Sequence, residues 1–342
     1  MKQPNRKGPR GQPTKAGPPG LAAIPTSGRR GSLRRVLILG PGRLGGALAL
    51  ALRPAGHAVS LLGRAGAEHR PALRASSRPF GPSDADCILL TVPDQAVAEV
   101  ARAHQAQFHR GQVVVHCSGA LGLDVLAPAA ERGAHVGSLH PLCAVPSRSA
   151  SLIGAFAAIE GDPTASRMLT RLARDAGLAP FRLPPGRRAL YHAAAALASN
   201  GLVALADEAT ALLGACGLPR PRALQALGPL MRSALAGLER EGLPRALTGP
   251  IARGDAAVVE AHLQALAESP SPTAPLLYRA LALALVRVSE ELGRAREDDL
   301  SRVLEALVSP ERPGRGHGSR RRRAPRAEPA PRRPRPAPTS RG

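Results

Sequence analysis

The segment Arg35-Val36-Leu37-Ile38-Leu39-Gly40-Pro41-Gly42-Arg43-Leu44-Gly45 constrains this chain most, because it runs a short apolar strand into a G-x-G-x-x-G turn and then into an Ala/Leu-rich helix. Each glycine has its own task. Gly40 permits the tight turn, Gly42 lets the backbone approach a pyrophosphate, and Gly45 lets the helix lie close on the strand with its N-terminus toward phosphate charge. A helix over Arg43–Leu52, a Pro54-Ala55-Gly56 break and a second strand from His57 to Leu62 complete the βαβ context such a turn needs. Gly40, Pro41, Gly42, Arg43, Leu44 and Gly45 are therefore candidate cofactor contacts. Val92 and Pro93, at the end of a later strand, join them.

An NAD site places Asp or Glu at the end of the second strand, about twenty residues past the turn, to bind the ribose hydroxyls. Here that end reads Leu61-Leu62-Gly63-Arg64. A guanidinium stands where the acid would be and suits a 2′-phosphate, so NADP(H) is the expected cofactor.

The formal charge of +22 over 342 residues suggests a nucleic-acid binder until its distribution is considered. Residues 1–35 and 309–342 supply +9 each and leave 36–308 at +4. Both ends are rich in Pro and Gly and poor in large apolar residues, so they cannot offset the entropy of ordering and are expected to be disordered tails. The Arg320–Arg323 run allows non-specific contact with nucleic acid but lacks interleaved aromatic residues. No secretory signal is apparent, and the Ala-rich stretch 193–206 is expected to be too short to span a membrane. Four dispersed cysteines without a C-x-x-C pair argue against a zinc site or disulfide framework and fit a reducing cytoplasm.

Continuously apolar strands alternate with helices up to Pro184-Pro185-Gly186, after which the chain reads as helices alone, over 187–215, 221–241, 255–268, 273–292 and 297–308. The expected architecture is α/β: a Rossmann-type doubly wound parallel sheet over 34–184, followed by an all-helical domain over 185–308 for substrate binding and dimerisation. Ligands should gather at the carboxyl ends of the strands.

Ser118 in His116-Cys117-Ser118-Gly119 and His140 in Ser138-Leu139-His140-Pro141 both fall at such ends, whereas His116 sits in an apolar run and reads as a buried, hydrogen-bonded histidine. A later helix places Arg188, His192, Ser199 and Asn200 on one face in a setting of alanine, which suggests a cleft wall. Thr248, Arg253 and Asp255 lie in a Gly/Pro-shaped loop, where Asp255 also suits a helix N-cap.

The motifs G-P-G-R-L-G, V-P-D, H-C-S-G, S-L-H-P, Y-H-A-A-A-A-L-A-S-N and L-T-G-P-I-A-R-G-D, in this order over nearly all of 36–308, resemble the bacterial family that joins a Rossmann-like domain to domain of unknown function 2520. That family is similar to the 6-phosphogluconate-dehydrogenase-like group, and some members are similar to an alternative ketopantoate reductase. The resemblance implies a nicotinamide-dependent oxidoreductase whose helical domain closes the cleft and forms a homodimer. One departure matters. Many hydroxyacid dehydrogenases of the group use a helix Lys with an Asn four residues later, yet this helix offers His192 with Ala196, and 36–308 contains no lysine.

The expected activity is NADP(H)-dependent hydride transfer to or from a small carbonyl or hydroxy acid, with 2-dehydropantoate as the concrete substrate. His192 is the expected proton donor, since imidazole titrates near working pH, with Asn200 and Ser118 orienting the substrate and His140 as the next acid. Arg188, Ser199, Thr248 and Arg253 are the expected substrate-binding residues, the arginines for a carboxylate. The alternative is a non-catalytic NADP(H) sensor.

Overall fold

The computed structural model describes residues 34–63 and 79–309. The tails expected at both ends, and Arg64 with its proposed grip on a 2′-phosphate, lie outside the described residues. Described residues up to Asp207 form one compact unit and those from Glu208 another.

The first unit is built on strands β1 (Arg35–Leu39), β2 (Ala58–Leu62), β3 (Cys87–Leu90), β4 (Val113–His116), β5 (His135–Pro141), β6 (Phe156–Gly161) and β7 (Ala179–Arg182). They form one seven-stranded sheet in the order β2-β1-β3-β4-β5-β6-β7. The first five strands in that order pair in parallel, as do β6 and β7. The β5–β6 pair is antiparallel, so the last α/β unit returns in the opposite sense to the one expected. Its register sets Glu160 opposite Ser138 and Ala158 opposite His140.

Helices α1 (Arg43–Leu52), α2 (Asp94–Ala103), α3 (Ala127–Ala130) and α4 (Pro163–Asp175) connect the strands. Val36, Ile38, Leu89, Val113 and Val115 pack on one face with α1 and α4, and Leu37, Leu39, Ile88, Leu90 and Val114 on the other with α2 and α3. This two-sided burial is why these strands are apolar at every position rather than at alternate ones. Asp162 caps α4 by accepting from the backbone N–H groups of Thr164 and Ala165.

The helices beyond β7 are α5 (Arg188–Ala215), α6 (Arg220–Glu241), α7 (Pro250–Arg253), α8 (Ala256–Ala267), α9 (Ala274–Leu292) and α10 (Glu297–Val308). The boundary between compact units falls within α5 rather than at Gly186. In the second unit Ile251, Val259, Ala282, Val286, Val303 and Leu307 form the core. The expected loop before α8 contains one helical turn, α7, and Asp255 caps α8 through the Val258 N–H. Among the described residues one helix, α5, is long and apolar enough by composition to cross a membrane. At 28 residues it is longer than the Ala-rich stretch suggested, but its first turn is tied to the sheet by a buried arginine, as described below.

Candidate active site

The glycine turn has the shape a dinucleotide needs. Gly40 adopts φ 107°, a conformation that favours glycine, and its N–H donates to the Leu62 carbonyl at 2.9 Å. A Cβ on Gly45 would lie 2.2 Å from the Gly40 carbonyl oxygen, so helix and turn approach as closely as backbone allows. The Thr91 hydroxyl donates to that same oxygen at 2.6 Å, tying the β3 end to the turn, and a Cβ on Gly40 would meet Val92 Cγ1 at 3.0 Å. Gly42 is the N-cap of α1, has no side chain to offer the helix, and faces open space with nothing within 4 Å of its would-be Cβ. The opening N–H groups of α1, including those of Arg43 and Leu44, are thus left for an outside acceptor. Pro41 is half-buried, and Arg43 and Pro93 are exposed at this edge. These residues fit a dinucleotide pyrophosphate.

Further along the carboxyl edge, Ser118 does not play the role expected of it. Its hydroxyl donates to Asp94 Oδ2 at 2.8 Å and accepts from the N–H groups of Ala120 and Leu121, both at 3.1 Å. One donor and two lone pairs are all a hydroxyl has, so Ser118 locks the β4 loop onto the start of α2 and has nothing left for a substrate. His116 is fully buried, as expected, and its Nε2–H donates to the Gly122 carbonyl at 3.1 Å. Burial, with the nearby Arg188 charge, pushes it down to about 4, so the ring is neutral and its Nδ1 is a buried acceptor with no partner among the described residues.

Arg188 also differs from expectation. Its side chain is buried, with Nε donating to Glu160 Oε2 at 3.1 Å, Nη2 to the same carboxylate and to the Ser138 hydroxyl, and Nη1 to the Ser118 carbonyl at 3.1 Å. The guanidinium faces inward and anchors α5 to β5 and β6 rather than holding a substrate carboxylate. The antiparallel β6 makes this possible, because it sets Glu160 directly across from Ser138 on the same face of the sheet.

Ser138 and His140 share a face of β5, two residues apart, and Tyr191 stands one helical turn beyond Arg188. The Tyr191 Oη to His140 Nδ1 distance is 2.6 Å, and the rings meet edge to face with centroids 5.5 Å apart. Burial, then the His192 and Arg188 charges, pushes His140 down to about 4, and burial pushes Tyr191 up to about 12. The exposed His192 ring lies with its centroid 6.3 Å from that of His140. Gly119 sits between them: a Cβ there would be 2.7 Å from His192 Nδ1 and 2.9 Å from His140 Nε2.

His140, Tyr191 and His192 thus form one cluster at the strand edge that also carries the glycine turn. Ser199 and Asn200 do not join it. Both are exposed on α5, seven and eight residues past His192, which is about 10–12 Å along the helix axis. Thr248 and Arg253 are exposed in the second unit, before and within α7. Sequence reasoning missed Tyr191, Gly119, Glu160 and Ser138. Only Tyr191 carried a visible signal, as one of two tyrosines in the chain, adjacent to His192. Among the described residues no three of His, Cys, Asp and Glu converge as metal ligands.

Residues 23–141 match a family described as a Rossmann-like domain, and residues 155–285 match the domain of unknown function DUF2520. The chain joins a Rossmann-like domain to DUF2520. No curated protein matches the sequence. Among solved structures, a proposed NADP oxidoreductase from Bacteroides fragilis is 21% identical with a TM-score of 0.57, over 75% of this chain and 98% of that one. An imine reductase from Pseudomonas sp. is 21% identical with a TM-score of 0.52, over 81% and 100%. A reductive aminase from Aspergillus terreus, in complex with NADPH and ethyl levulinate, is 18% identical with a TM-score of 0.51, over 80% and 99%. At these identities the likeness is one of fold.

Proposed function

We propose that this protein is an NADP(H)-dependent oxidoreductase that reduces a small carbonyl compound, or oxidises the corresponding hydroxy acid. The observation that carries this reading is the shared strand edge, which presents an open glycine cradle after β1 and, with β3 and β4 between, a cluster of two imidazoles and a phenol at β5. The cradle would hold the pyrophosphate on the N–H groups after Gly42, with Arg43 beside it and Arg64 on the 2′-phosphate. A bound nicotinamide would supply or accept the hydride. His192, exposed and beside His140, moves the proton at the reacting oxygen, while Ser118 and Arg188 hold the loops and helix that position it. Arg188 is already engaged by Glu160, so it is not available to a substrate carboxylate; 2-dehydropantoate is the first compound to test. Leu190, Leu197 and Val203 of α5 are 65%, 76% and 69% exposed and Leu230 of α6 is 66% exposed, apolar surface that supports a homodimer.

The experiment is to follow NADPH oxidation over a panel of 2-oxo acids that includes 2-dehydropantoate. Turnover of at least one is expected. Tight NADPH binding without turnover across the panel would favour the sensor instead. Wild-type protein should prefer NADPH to NADH, and Arg64→Asp should abolish the preference.

A further inference from the structure

His140 Nε2 and His192 Nδ1 both lie within 3 Å of one point, the place a Gly119 side chain would occupy. The two nitrogens are therefore no more than about 6 Å apart, a span that one oxygen can bridge with two hydrogen bonds of ordinary length. Gly119 is itself buried, and any side chain there would intrude between the two rings.

The state of His140 follows from its partner. Tyr191 Oη lies 2.6 Å from Nδ1, while its next acceptor, the His140 carbonyl oxygen, is at 3.5 Å. The much shorter contact to Nδ1 favours donation of the phenol hydrogen there. A neutral imidazole that accepts at Nδ1 carries its hydrogen on Nε2, the nitrogen nearest Gly119. Tyr191 is thus a positioning residue that holds an N–H donor toward the gap. His192 Nδ1, when protonated, supplies a second donor from the other side.

We propose that this pair is a two-imidazole clamp for a carbonyl oxygen, and that the substrate class is ketone, aldehyde or 2-oxo acid rather than imine. The inference rests on the oxidoreductase reading and narrows it. A carbonyl oxygen has two lone pairs and gains charge as hydride adds to its carbon, so both donors strengthen toward the transition state. An imine nitrogen has one lone pair, and once protonated it has none, so one or both donors would face it unpaired. A bound reduced nicotinamide would supply the hydride to the carbonyl carbon. The C=O π pair moves to oxygen, which takes the proton from His192 Nδ1 to give the alcohol, and the exposed His192 ring recovers a proton from water.

Two measurements on the full chain test the clamp. With 15N-labelled histidine, long-range 1H–15N correlation spectra of the cofactor-free protein should show His140 as the Nε2–H tautomer, and Tyr191→Phe should relax that preference; an Nδ1–H tautomer in the wild type overturns the clamp whether or not the protein is a reductase. Gly119→Ala should lower carbonyl turnover about a hundredfold or more, the cost of one lost oxyanion donor, with NADPH affinity and thermal unfolding unchanged. Tyr191→Phe should act in the same direction but less strongly, with its effect on kcat rather than KM. Turnover of cyclic imines in preference to carbonyls would overturn the carbonyl class, in the proposed function as well as here, and would leave only NADP(H)-dependent reduction standing. Absence of NADPH oxidation with either class would remove that reading and this one with it.

Discussion

The parallel sheet and the helices of the second unit solve the problem of apolar surface in opposite ways. In β1, β3 and β4 every residue but Arg35 is buried, and helices cover both faces, so the sheet closes its core within one chain. The 22-residue α6 buries Ala223 alone and leaves Leu224, Leu230, Leu235 and Leu238 between 44% and 66% exposed. Each region therefore carries a different task. Groups that must hold fixed geometry, the glycine cradle and the His140–Tyr191 pair, belong to the self-sufficient unit, while the helical unit leaves large apolar side chains exposed.

The strongest way to break this contrast is to ask whether a second copy covers the helices. Light scattering at micromolar protein should give twice the chain mass of 35.3 kDa, and Leu230→Asp with Leu235→Asp should reduce it to one chain; a wild-type monomer would leave the apolar surface unexplained. Within the sheet unit, Gly45→Ala should abolish detectable NADPH binding, because its methyl would collide with the Gly40 carbonyl. Wild-type affinity in isothermal titration would mean the turn is looser than described.

Glu160→Ala should cost about 2–4 kcal/mol in urea unfolding, since it leaves the buried Arg188 guanidinium without its carboxylate. A loss below about 0.5 kcal/mol, the range of an ordinary surface change, would show that α5 is not anchored there. A smaller effect concerns pH. His116 and His140 are held neutral, down to about 4, against an ordinary value of 6.5, so the unfolded chain binds more protons between those limits. Stability should be full above about pH 6.5 and fall as pH drops toward 4, with a shallower fall in His140→Asn; equal slopes in the two proteins would contradict the burial of His140.

The sequence carried the sheet clearly because the strand, glycine turn and helix from Arg35 to Leu52 are a local pattern, as is the register of polar residues on α5. Strand direction was not legible: an apolar run looks the same in either orientation, so the antiparallel β6 and the Glu160–Ser138 pairing it creates appear only in three dimensions. The roles of Ser118 and Arg188 were misread for a related reason. A hydroxyl or guanidinium near a strand edge suits a ligand until its partners are known, and those partners, Asp94 and Glu160, lie 24 and 28 residues away in the chain. The Tyr191–His140 contact spans 51 residues, beyond any periodicity argument.

The central claim is that the sheet edge with its imidazole cluster is a working redox site, and His192→Ala tests it most directly when NADPH affinity and single-turnover hydride transfer are measured on the same sample. The account predicts a dissociation constant within about twofold of wild type and a rate lower by roughly a hundredfold or more, the contribution of a positioned acid. A variant that transfers hydride as fast as the wild type would contradict it.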